Sequence, residues 1–176
     1  MYVKTNFLLI VSVIISLITQ AQKNTFSIGA GPAVGFPFNS NFSLPIGAAV
    51  NANYGYGKLG SVIGSITYLN TKFNSSLSST KISIINTKIG VHSYLNDYTK
   101  FFVQADAGVS YYKNKTNSNN VTSFITGLGI GYSFVFKNKN GIDLAPNVNY
   151  VSDGVSISNL WLITTATFKV NLKSKR

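Results

Sequence analysis

From Thr25 onward the chain alternates apolar with small or polar residues at a period of two. Across Thr25 to Phe36 one side reads Phe26, Ile28, Ala30, Pro32, Val34, Phe36. The other reads Thr25, Ser27, Gly29, Gly31, Ala33, Gly35. Successive side chains of a strand leave on opposite faces, so each such segment has one apolar face and one of small residues. Ile46 to Gly57 splits in the same way, as do 101–112, 124–136, 142–150 and 160–172. Two segments are less regular. Ser61 to Phe73 is mixed, and Lys81 to Leu95 changes phase at Ile84-Ile85, where a β-bulge is expected.

The connections between strands alternate in length. Tight turns fall at Gly57–Gly60, Asn96–Thr99 and Lys137–Asn140, and longer polar connections at 37–45, 74–80, 113–120 and 152–158. That order predicts about eight antiparallel strands with both termini on the short-turn side, as in outer-membrane barrels. No stretch after residue 21 carries a helix-length pattern of period 3.6.

The two faces decide between a soluble and a membrane-borne β-protein. A soluble sandwich or lipocalin-type barrel buries its apolar face and leaves the other charged and solvated. Here the second face is mostly Gly, Ala, Ser, Thr and Asn. Only 11% of the chain is charged, where globular domains have about 25%. Small polar residues suit the interior of a closed eight-stranded barrel, which is only just wide enough for side chains. The apolar face carries Phe26, Tyr54, Tyr56, Phe101, Phe134, Phe136 and Phe168 towards the short turns. Towards the long connections it carries Phe36, Tyr68, Tyr111, Phe124 and Tyr150. Two aromatic girdles around an aliphatic band match the two interfaces of a bilayer. Val50, Val103 and Leu128 are expected in the middle of that band.

The N-terminus adds a compartment. Lys4 precedes an apolar run from Phe7 to Ile18, and Thr19-Gln20-Ala21 offers small residues before Gln22. This is the layout of a secretory signal peptide, and the run is short of the ~20 residues that a spanning helix needs. The expected organisation is a signal peptide at 1–21, a barrel at 22–172 and a basic tail at 173–176. There is no Cys, so neither a lipoprotein anchor nor a disulfide framework is available.

With strands such as FSIGAGPAVGF and TGLGIGYSFVF, residues 24–172 resemble the small eight-stranded outer-membrane barrels, the OmpA-transmembrane-domain and OmpX-like group. The resemblance is one of architecture and composition. It implies an all-β, closed, antiparallel up-and-down transmembrane barrel in the bacterial outer membrane, delivered by the barrel-assembly machinery. Many members of the group end in an aromatic residue which that machinery reads. This chain ends in TATFKVNL and a basic tail, with Phe168 and Leu172 as the nearest equivalents.

Candidate chemistry is sparse. The single His, His92, falls on the inward face, Glu is absent, and the acids are Asp97, Asp106, Asp143 and Asp153. A Ser–His–Asp site inside the barrel would have to be built on His92 with Asp106 or Asp143, and a satisfied interior His is the expected reading. One His with scattered Asp makes no metal-ligand cluster. No enzymatic activity, metal or cofactor is expected. The net charge of +11 sits mainly in lysines at turns and loops. It is read as contact with outer-membrane lipid headgroups and lipopolysaccharide, not nucleic acid. Counting back from the hairpins places two basic and two acidic inward residues as pairs, Lys88 with Asp106 and Asp143 with Lys169. Unpaired, each charge would be costly inside a narrow barrel. The expected role is therefore structural or surface-interacting, with loops presented by a plugged barrel. The alternative is a narrow porin-like channel for small solutes.

Overall fold

The computed structural model describes residues 25–38, 42–55, 59–74, 79–95, 100–116, 120–137, 140–152 and 160–172. The expected signal peptide and basic tail lie outside them, as do Tyr56, Asp97 and Asp153. The chain forms β1 (Thr25–Pro37), β2 (Ile46–Gly55), β3 (Gly60–Asn74), β4 (Ser79–Tyr94), β5 (Phe101–Asn114), β6 (Asn120–Val135), β7 (Gly141–Val151) and β8 (Leu160–Leu172). Each strand pairs antiparallel with its neighbours in sequence, and β8 returns to β1, so the barrel is closed.

The register fixes its shape. Starting at Phe26, the cross-strand partners run Tyr54, Val62, Val91, Ala105, Leu128, Val148, Leu162 and back to β1 at Phe36. The row therefore climbs from Phe26 to Phe36 in one circuit. For eight strands a stagger of this size means a strongly tilted, narrow barrel. Every residue on the row is apolar and lies on the outward side. Pro32 and Pro146 both sit within strands, and the pairing of β1 with β8 and of β6 with β7 is interrupted beside them. A residue without an N–H cannot complete a ladder.

The outer surface is the apolar one. Leu128 is 70% exposed and Ile89 66%, with Val50, Ile66 and Ile130 likewise bare. Phe26, Tyr54, Phe101, Phe134, Phe136 and Phe168 stand outward at the short-turn end, and Phe36, Tyr68, Phe124 and Tyr150 at the other. The short-turn girdle is partly stacked: Tyr132 lies edge-on to Phe101 and Phe134, with ring centroids 4.8 and 4.7 Å apart. Leu128 falls midway between Phe124 and Tyr132 on β6. Val103 is one outward place from Phe101, so it belongs near the short-turn girdle, and the middle of β5 is Ala105–Ala107. Tilt explains the difference, because the middle of the band falls at a different fraction of each strand.

Three further expectations need correction. β4 has no bulge: its pairing to β3 and to β5 is continuous through Ile84 and Ile85. Even-numbered residues stay inward throughout, and both faces are apolar there because Ile82 and Ile84 point inside. The connections expected at 74–80 and 113–120 are shorter than counted, since β3 reaches Asn74, β4 begins at Ser79, β5 reaches Asn114 and β6 begins at Asn120. Strands β3 to β6 therefore stand taller at that end than the rest of the wall. Finally, the connection at 37–45 is not wholly external. Phe42 is buried and bridges to Phe73, and the Ser43 N–H donates to the Lys72 carbonyl at 2.9 Å. Phe42 thus packs inside the barrel mouth, between Phe73 and Trp161.

Candidate functional site in the barrel interior

The interior is built in two unlike halves. At the short-turn end Lys169 Nζ donates to both carboxylate oxygens of Asp143, at 3.0 and 2.9 Å. Ser133 Oγ donates to Asp143 Oδ1 at 2.6 Å, and the Tyr94 hydroxyl lies 3.0 Å from Ser133 Oγ. Above them the His92 ring stacks on Phe102 with centroids 3.8 Å apart. Tyr94 packs edge-on to Phe102. Together these rings pack across the lumen near the short-turn end.

Towards the middle, Lys88 Nζ sits 2.9 Å from Asp106 Oδ1 and donates to Asn149 Oδ1 at 2.8 Å. Gln104 and Asn147 both donate to Asp106 Oδ2, at 2.7 and 2.9 Å. Asn149 Nδ2 in turn donates to the Asn147 carbonyl at 2.8 Å. Residues of β4, β5 and β7 are thus tied across the lumen. Gly127 on β6 faces this network, and a Cβ there would come within 2.5 Å of both Asp106 Oδ1 and Asn147 Oδ1. Gly131 likewise leaves the space that the Phe102 ring fills.

The structure brings together all four charged residues singled out from the sequence, but not in the register counted for them. Lys88 lies directly opposite Gly108, and Asp106 opposite Gly90. Asp143 faces Thr167, and Lys169 faces Gly141. Each ion pair is a diagonal, two residues out of register. Lysine is long enough to span it, and three of the four charged residues have glycine opposite.

The half nearest the long connections was missed by sequence reasoning. Its inward residues include Leu69, Ile82, Ile84, Tyr112, Ile125, Val151, Trp161 and Ile163, all buried in one cluster with Ala33, Ala49 and Phe42. A few buried polar groups are interspersed, such as Ser110, whose Oγ donates to Asn86 Oδ1 at 2.6 Å. Phe42 packs on Phe73 and edge-on to Trp161, with centroids 5.0 and 5.2 Å apart. The signal was present in β3 and β4, where inward and outward residues are both apolar and the alternation fades.

Chemically, the interior offers packing and charge neutralisation. His92 is buried against aromatic rings. Among the described residues, no three His, Asp or Glu side chains converge as metal ligands. No described helix is long and apolar enough to cross a membrane. A small cavity of about 40 Å³ remains beside His92, Gln104 and Thr167.

No protein-family model and no curated protein sequence matches the chain. Solved structures do. The outer membrane protein OprG from Pseudomonas aeruginosa aligns over 88% of this chain and 99% of its own, with a TM-score of 0.56 at 12% identity. The Yersinia pestis outer membrane protein Ail in a phospholipid bilayer nanodisc aligns over 84% and 100%, with a TM-score of 0.59 at 16% identity. Neisserial surface protein A aligns over 84% and 96%, with a TM-score of 0.51 at 12% identity. This chain has the fold of the small eight-stranded outer-membrane barrels. At such identities the likeness is one of architecture, and the interior must be read from its own residues.

Proposed function

We propose that this chain is a bacterial outer-membrane barrel, exported through a cleaved signal peptide, that is sealed to solutes and acts through its rim and outer surface. It is a structural or surface-interaction protein and not an enzyme. One observation supports the reading: the His92–Phe102 stack, the two ion-paired networks and the apolar cluster under Phe42 occupy successive levels of the lumen, leaving a cavity of only about 40 Å³ beside His92. The apolar belt between two aromatic girdles supports the bilayer setting, since a closed barrel satisfies its backbone in lipid and a bare aliphatic surface in water would not persist.

The test is insertion and conductance. The refolded barrel should run at a different apparent size in unheated and heated gels, and should leave planar bilayers electrically silent. Steady single-channel conductance from the wild-type protein would favour a narrow channel and end the sealed reading. A monodisperse, detergent-free monomer in water would remove the membrane assignment altogether.

A further inference from the structure

The outer face of β3, β4 and β5 carries a charge arrangement that the sealed-barrel role does not explain. Lys72 and Lys81 are direct cross-strand partners. The Lys115 N–H donates to the Lys81 carbonyl at 2.9 Å, which continues the same row onto the end of β5. All three side chains are exposed on the outward side, as is Lys113. Three lysines thus stand abreast on adjacent strands, about 5 Å apart, and like charges placed directly opposite destabilise a sheet. The described acids are Asp106 and Asp143, and both are inside the barrel with their own lysines. No described carboxylate stands on the outer face to neutralise the row.

The hydrogen bonding beneath it is lopsided in the same sense. Asn70 Oδ1 accepts from the Tyr68 hydroxyl at 2.9 Å, from Ser83 Oγ at 3.0 Å and from Lys115 Nζ at 3.2 Å. Three donors share one acceptor, so the site has a surplus of N–H and O–H groups. They border an outward depression of about 510 Å³, floored by Ile85 and flanked by Tyr68, Tyr111 and Lys113. Directly below, on the same face, Ile66 and Ile89 belong to the bare aliphatic belt.

We propose that this depression binds the phosphorylated headgroup of a lipid of the surrounding leaflet, with its acyl chains laid over Ile66 and Ile89. The reading rests on the outer-membrane assignment above. A phosphate is a multivalent acceptor carrying the missing negative charge. The step from lysines to girdle to aliphatic wall follows the step from headgroup to chains in a lipid. Charge complementarity and continuity with the belt thus select a lipid over a soluble anion.

The probe is a diphosphorylated lipid A, titrated into the detergent-solubilised wild-type barrel and read by native mass spectrometry. The same lipid stripped of phosphate and free inorganic pyrophosphate serve as separate arms. The variant Lys72→Gln/Lys81→Gln/Lys115→Gln should bind the phosphorylated lipid on the order of 10- to 100-fold more weakly. Lys100→Gln/Lys137→Gln at the opposite end should bind it as wild type does. Rising salt should erase the preference. Equal binding by the triple variant, or equal binding of the dephosphorylated lipid, overturns the site. Pyrophosphate binding as tightly as the lipid overturns the lipid assignment. A heat-dependent gel shift retained by the triple variant shows that any loss is not unfolding. If wild type itself gave no shift, the outer-membrane reading would fail, a result distinct from failure of this site.

Discussion

The two halves of the barrel interior solve one packing problem with opposite chemistry. At the short-turn end and the middle, charged and amide side chains reach across the lumen and are held by partners on other strands. Under the long connections, Leu69, Ile84 and Ile125 fill space. The polar half is specific: each charged group depends on a named partner, and a lost partner leaves a desolvated charge. The apolar half is tolerant of identity and sensitive to volume. The contrast teaches that neutrality and volume are separable requirements of a narrow barrel.

The largest effect should come from breaking a pair. Asp106→Ala leaves Lys88 buried without its carboxylate and should cost about 3–5 kcal/mol in chemical unfolding from detergent or lipid. Adding Lys88→Met should recover much of the loss, and a double-mutant cycle without coupling would show that the network does not act as a unit. In the apolar half, Leu69→Ala should cost about 2–5 kcal/mol through the cavity it leaves, and no second polar change should rescue it. Rescue there would erase the distinction between the halves.

Outside the barrel, Leu128→Arg should cost about 2–4 kcal/mol at mid-bilayer, while Val103→Arg, nearer the girdle, should cost clearly less. Equal costs would mean that the depth assignment of β5 is wrong. The smallest change is Tyr94→Phe, which removes the hydroxyl beside Ser133 and should cost about 1 kcal/mol. A much larger loss would mean that the short-turn network is cooperative beyond its individual bonds.

Much of the fold was legible in the chain. The period-two pattern of β1, β2 and β8 placed their boundaries to within a residue or two, because small inward residues beside large outward ones make an unambiguous alternation. The four interior charges were legible too, since charge is rare enough here to stand out on the inward face. Their register was not. Turn residues define where a hairpin lies but not its pairing to the residue, and a slip of two keeps every side chain on its face. The apolar cluster was missed for the converse reason. Where Ile82, Ile84 and Leu69 point inward and their neighbours meet lipid, hydropathy no longer separates the faces. Phe42 was read as loop because its burial depends on an overhang of β3 that only the assembled wall creates.

The seam between β1 and β8 joins residues from opposite ends of the barrel sequence, Phe26 with Leu172, whereas all other ladders are hairpins between neighbours. Hairpins can form as the chain arrives, but this contact must wait for the last strand, and non-local closure of this kind is the slow step in a folding chain. Until then the sheet has two open edges, and in hydrocarbon their unpaired backbone groups have no water to turn to. The order of assembly is therefore written into the topology, with closure of this seam last. A chain cut before Leu160 should not settle into a smaller barrel. It should remain a curled sheet with adhesive edges, competent mainly to pair with another chain in the same condition.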